Sequence, residues 1–151
     1  MKKTIAGIVC LGLVLAGELA HAEVHNDFNG DGSSDLAVYQ ASSGRWYIRT
    51  LSGQVLAWNK QWGYGGTLAV PADYDGDGST DMGVYDQASG AWYIQTVASS
   101  QILVWGTRLG GTGFVPVPGD HDGDGSADLA VYEQEKSNKT DKSISNGSYI
   151  Q

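Results

Sequence analysis

The sequence predicts an all-β fold made of repeated four-stranded antiparallel units. Three observations predict it. A nine-residue acidic stretch occurs three times in nearly the same form, at 27–35, 73–81 and 120–128, the copies starting 46 and 47 residues apart. Each copy runs straight into the same short segment: Leu36-Ala37-Val38-Tyr39, Met82-Gly83-Val84-Tyr85 and Leu129-Ala130-Val131-Tyr132. The remaining runs are short, β-branched or aromatic, and bounded by Gly, Ser, Asn and Asp, which marks strands rather than helices. A period of about 46 residues carrying four short strands fits one blade of a β-propeller.

Taken in order, the chain opens with Lys2 and Lys3, a mostly apolar run from Ile5 to Leu19, and the small-x-small site Ala20-His21-Ala22. This is the pattern of a secretory signal peptide over 1–22, with the mature chain starting at Glu23 and lying in the periplasm or outside the cell. The apolar run is short for a bilayer span of about 20 residues, so no membrane attachment is expected after cleavage. The single cysteine, Cys10, falls in this segment. The mature chain then has no disulfide, and a small exported domain needs another staple, of which a bound metal is one.

The repeat region covers 23–132. After each acidic loop comes the second strand of a blade, then a turn (Gln40–Gly44, Asp86–Gly90), then the strand Arg45-Trp46-Tyr47-Ile48-Arg49-Thr50 or Ala91-Trp92-Tyr93-Ile94-Gln95-Thr96. A third apolar run follows, Val55–Trp58 or Ile102–Trp105, and a Gly-rich turn leads to Leu68–Ala72 or Val115–Gly119 and into the next acidic loop. Residues of the second strand are apolar on both alternating faces, as expected for a sheet covered on both sides. Trp46, Ile48 and Thr50 share a face, as do Trp92, Ile94 and Thr96, and are expected in the core between sheets. The small residue at Ala37, Gly83 and Ala130 marks a place where another sheet approaches. The third copy breaks off: 133–151 is a polar loop ending in Gly147-Ser148-Tyr149-Ile150-Gln151, a decayed strand without its Trp. About two and a half blades are therefore expected. A ring typically needs about four to eight, so the propeller is incomplete or closed by oligomerisation, with neighbouring blades or a homo-oligomer as partners.

The mature chain carries 7 basic and 16 acidic residues, and the three loops hold 11 of the acids. No basic footprint for nucleic acid or anionic lipid is present. Acids this concentrated repel one another unless a cation sits among them. Oxygen groups at places 1, 3, 5 and 9, with the backbone carbonyl at place 7, can wrap a hard cation, which takes about six to eight oxygens. These are Asp27, Asn29, Asp31, Ser33 and Asp35; Asp73, Asp75, Asp77, Ser79 and Asp81; and Asp120, Asp122, Asp124, Ser126 and Asp128. Gly32, Gly78 and Gly125 at place 6 allow the turn over the ion. An all-oxygen set disfavours zinc and copper, and Mg²⁺ wants a tighter octahedron, so about three Ca²⁺ are expected, one per loop. An EF-hand is excluded: place 12 is Val38, Val84 and Val131 where that motif needs Glu, and the flanks are strands rather than helices.

The loop Asp-x-Asp/Asn-x-Asp-Gly-x-x-Asp followed by Leu-Ala-Val-Tyr resembles the FG-GAP or VCBS-type repeat over roughly 23–132. The same loop occurs in integrin α-subunit propellers and some calcium-bearing propeller lectins. The resemblance implies that the loop joins the first two strands of each blade and that the place-9 Asp binds the ion directly. The Phe-Gly and Gly-Ala-Pro signature survives only as Gly113-Phe114-Val115-Pro116 and Val117-Pro118-Gly119.

The function expected is that of an exported, non-enzymatic binding or adhesion module with structural Ca²⁺ and a protein or glycan partner. One alternative is a lectin that stacks sugar on Trp58, Trp62 and Trp105. Another is a fragment of a larger propeller enzyme such as a polysaccharide lyase. An enzyme is disfavoured: the loops consume nearly all the carboxylates, only His25 and His121 remain in the mature chain, and no Ser-His-Asp or Cys-His set is available.

Overall fold

The computed structural model describes residues 26–134. The expected signal peptide (1–22) and the expected decayed strand at 147–151 lie outside them. Within them every regular element is a β-strand, and nine follow in order: β1 (Leu36–Gln40), β2 (Arg45–Arg49), β3 (Val55–Gln61), β4 (Thr67–Ala69), β5 (Met82–Asp86), β6 (Ala91–Gln95), β7 (Ile102–Arg108), β8 (Phe114–Pro116) and β9 (Val131–Glu133). They form three antiparallel sheets ordered β1-β2-β3, β4-β5-β6-β7 and β8-β9. The middle sheet is the complete four-stranded unit expected from the repeat. Among the described residues the first sheet has three strands and the third has two.

The strand before the second and third acidic loops is shorter than the sequence suggests and begins earlier. β4 pairs Thr67–Ala69 with β5 and stops before Pro71; β8 stops at Pro116. Proline has no N–H to give a ladder. Beyond it a single bridge, Ala72 to Asp81 or Gly119 to Asp128, closes the loop. The outer strand is longer than expected, because it runs through a bulge. Trp46 faces Lys60 and Ile48 faces Ala57, so an extra residue sits between, and the same irregularity follows Thr107 opposite Trp92. Asn59 and Gly106 occupy these two bulges with φ of 57° and 72°. Gly and Asn are the residues that take this left-handed conformation most readily.

The sheets stack through one interface used twice. Met82 and Val84 of β5 join Trp46 and Ile48 of β2, with Phe28 and Trp62, in one buried cluster. Leu129 and Val131 then meet Tyr85 and Trp92 of the middle sheet in a second. Met82–Tyr85 and Leu129–Tyr132 are the same four places of the repeat, so each sheet offers its Met/Val or Leu/Val face to the Tyr-Trp face of the one before. Trp46 and Trp92 are almost wholly enclosed, and each indole N–H donates to a carbonyl at the end of its own unit: Trp62 at 2.8 Å and Leu109 at 3.2 Å. Burying side chains of this size contributes about 1.5–3 kcal/mol each, which is where a chain of short strands obtains its stability.

The small residue in the second strand has a different cause from the one the sequence suggests. A Cβ on Gly83 would lie 2.3 Å from the Val70 carbonyl oxygen. It is the approach to the loop in the same repeat, not a neighbouring sheet, that crosses there.

Candidate metal centre

The three acidic loops are folded by one hydrogen-bond pattern. The place-1 carboxylate accepts the N–H groups of places 4 and 6: Gly30 and Gly32 on Asp27 at 2.8 and 2.7 Å, Gly76 and Gly78 on Asp73 at 2.8 Å each, Gly123 and Gly125 on Asp120 at 2.6 and 2.9 Å. The place-9 carboxylate accepts the place-2 N–H: Phe28 on Asp35 at 2.9 Å, Tyr74 on Asp81 and His121 on Asp128 at 3.0 Å. Between them, Asp31, Asp77 and Asp124 accept the N–H of Ser33, Ser79 and Ser126. Side chains that fold back on the next backbone amides are what Asp and Asn do in turns. Here the series turns the carboxylates of one loop toward one another; Asp27 Oδ1 and Asp120 Oδ1 each accept two N–H groups, while the place-9 carboxylates accept one and keep lone pairs to spare.

In the second loop Asp73, Asp75 and Asp81 each offer an oxygen within 4.8 Å of the others; in the third, Asp120, Asp122 and Asp124 do. Both groups can hold a metal ion. The first loop has an amide at place 3, and Asn29 Nδ2 donates to Asp31 at 3.1 Å. Its acids Asp27, Asp31 and Asp35 are distributed as in the other copies, with one carboxylate fewer.

The loops also stack on each other, which the sequence did not reveal. The N–H of Thr80, at place 8 of the second loop, donates to the carbonyl of Asp27 at 2.6 Å; Ala127, at place 8 of the third, donates to Asp73 at 2.6 Å. Ser79 Oγ lies 2.9 Å from where a Cβ of Gly30 would be, and Ser126 Oγ 2.8 Å from that of Gly76. The glycine at place 4 is thus the contact point of the stack. Its recurrence at Gly30, Gly76 and Gly123 was the available signal. Burial falls along the stack: Asp27 is buried, Asp73 is half-buried, and Asp120, which receives no loop above it among the described residues, is exposed.

The electrostatics follow. Burial pushes the Asp81 carboxyl up to about 7; the Tyr74 N–H opposes this, and the charges of Asp75, Asp73 and Asp77 add to it. Burial raises Asp35 as well, against the Phe28 N–H. Asp120 is held below the usual carboxylate range by the N–H groups of Gly125 and Gly123. In the second loop, burial and the neighbouring carboxylates thus both oppose ionisation of Asp81.

The other candidate residues separate. Trp58 and Trp105 sit at the bulges of β3 and β7 and are 67 % and 68 % exposed. Each lies edge-on against a tyrosine of the adjacent strand, Tyr47 at 5.3 Å and Tyr93 at 5.3 Å. A bulge re-aims a side chain, and here it presents both indoles to solvent. Arg45 and Tyr47 tie down the first bulge, donating to Asn59. Trp62 is buried, donates its indole N–H to the Tyr93 carbonyl at 3.3 Å, and stacks 5.9 Å from Trp105. His121 rests its ring nitrogen on the Val117 carbonyl at 3.2 Å; His25 lies outside the described residues.

Antiparallel sheets joined in sequence order, each repeat set by an acidic turn ahead of its second strand, define an all-β repeat protein. Residues 27–84, from the first acidic loop through the second to β5, match the family model of the FG-GAP-like repeat, and this stretch is similar to that family. No curated protein and no solved structure matches the chain.

Proposed function

We propose that this protein is an exported, Ca²⁺-stabilised module of propeller-type blades that acts by binding a protein or glycan and catalyses nothing. One observation carries the reading: three loops with the same hydrogen bonds, two of which gather three carboxylates within reach of one ion. The residues for the cation are the place-1, -3, -5 and -9 side chains and the carbonyls of Ser33, Ser79 and Ser126. A divalent cation supplies charge neutralisation there; a hard, oxygen-seeking one suits the donors. Because the loops stack, cations in them tie three repeats rather than one. His121, the one histidine among the described residues, already rests its ring on the Val117 carbonyl, which supports a non-catalytic role. Thermal melting with Ca²⁺ and with excess EDTA tests the reading: a fall of many degrees on chelation is expected, and an unchanged melt refutes it. Export is tested apart from this, by N-terminal sequencing of the secreted product, which should begin at Glu23.

A second reading, a lectin, is favoured by the exposed Trp58 and Trp105. Each offers an indole braced by a tyrosine, a shape on which a sugar ring stacks. Trp62 contributes from below as a buried support. A glycan array with no hits counts against it.

A further inference from the structure

We propose that the open face of the first sheet, centred on Leu36 and Val38, docks the third sheet of a second copy, joining chains head to tail. The inference goes beyond the cation reading and does not depend on it. Leu36 and Val38 stand at the repeat positions of Met82 and Val84. Those residues are 0 % and 1 % exposed because the first sheet covers them, whereas Leu36 and Val38 are 47 % and 62 % exposed. Leu129 and Val131 are the third instance, packed on Tyr85 and Trp92. Among the described residues one face thus appears three times, is used twice, and is open once.

Its complement is open at the other end. Tyr85 is fully enclosed by the third sheet, but Tyr132, its equivalent, is 51 % exposed. Among the described residues the loop stack ends there too: Asp27 and Asp73 carbonyls each receive an N–H from the next loop, and Asp120 follows them in the stack and is exposed. A second copy placed by the operator that relates the first sheet to the second, and the second to the third, brings its Leu36–Val38 face onto the Tyr132 face. This continues the Tyr part of an interface the protein already uses, at a repeat whose sequence lacks the Trp that Trp46 and Trp92 supply. The contact is heterologous, so repetition gives rings or open chains rather than a closed two-fold dimer.

The test is sedimentation of the full chain and of Val38→Glu and Tyr132→Glu over a range of concentration, with circular dichroism melts to show that each variant is folded. Val38 is solvent-exposed, so V38E should fold; Leu36→Lys serves if it does not. The wild type is expected to associate, each single variant to weaken association at least ten-fold, and an equimolar mixture of V38E and Y132E to recover a one-to-one dimer through the one intact face each retains. A monomeric wild type overturns the proposal. So does a mixture that stays monomeric, or Y132E that associates as well as wild type, which would mean that the first sheet pairs with itself.

Discussion

Asp81→Asn should reverse its effect on stability depending on whether a cation is present. Asp81 is 2 % exposed and its carboxyl is raised from 3.8 to about 7, chiefly by burial. Below pH 3.8 the group is protonated in both folded and unfolded chains and contributes no difference. As pH rises the unfolded chain gives up its proton first, so the unfolded state binds fewer protons and stability falls until the folded group also ionises near 7. At 1.36 kcal/mol per pH unit the full loss is about 4 kcal/mol, a large part of the roughly 5–15 kcal/mol that holds a domain together. About 3 kcal/mol of it falls between pH 5 and 8. Asn keeps an oxygen for the Tyr74 N–H and removes the ionisation. The assay is urea unfolding of both proteins in EDTA and in Ca²⁺ at pH 5 and 8. In EDTA at pH 8 the variant should be the more stable; in Ca²⁺, where the ionised Asp81 faces a cation, the wild type should be. Equal pH slopes in EDTA would show that Asp81 is not raised. Equal stabilisation of both proteins by Ca²⁺ would show that it does not serve the ion.

Gly44→Ala should cost more than Gly78→Ala, by about 1 kcal/mol or more; φ is +71° at one and +87° at the other, so the left-handed strain is shared, but only the former would drive a Cβ to 2.1 Å from the Gly63 backbone, and equal melting temperatures would deny that close approach. Thr67 is fully buried and its hydroxyl meets that of Tyr39 from the first sheet. A double-mutant cycle of Thr67→Val and Tyr39→Phe, read by denaturant unfolding, should give a coupling of about 1 kcal/mol. Trp46→Ala should lose about 3–5 kcal/mol of stability, whereas Trp58→Ala and Trp105→Ala, at exposed bulges, should stay within about 1 kcal/mol of wild type in the same unfolding assay.

Much of this architecture was legible because it is local. The acidic loops fold on side chain-to-backbone bonds within nine residues, so Asp73 and Asp81 announce their roles by spacing alone. The strands follow their β-branched and aromatic runs, and Val84 at place 12 separates the loop from a helical calcium motif. Strand ends were less legible, because Pro71 and the bulges at Asn59 and Gly106 act through partners on the next strand. The candidate site was readable as three separate loops, not as a stack. The bond from Thr80 to Asp27 joins residues of different repeats, and only the packing of whole sheets brings them together.

The sequence by itself determined the repeat, the loop, the spacing of its carboxylates and the apolar strands, since each depends on contacts between near neighbours. The tertiary structure decided which equivalent residues differ. Val38 and Val84 occupy the same place in the same motif, yet one is open and the other sealed. Trp58 and Trp62 lie four residues apart, one turned to water by a bulge and the other held between sheets. Asp81 is raised to about 7 while Asp120 is lowered. Burial belongs to the stack of sheets and to a residue's place in it, and no window of sequence contains its neighbours.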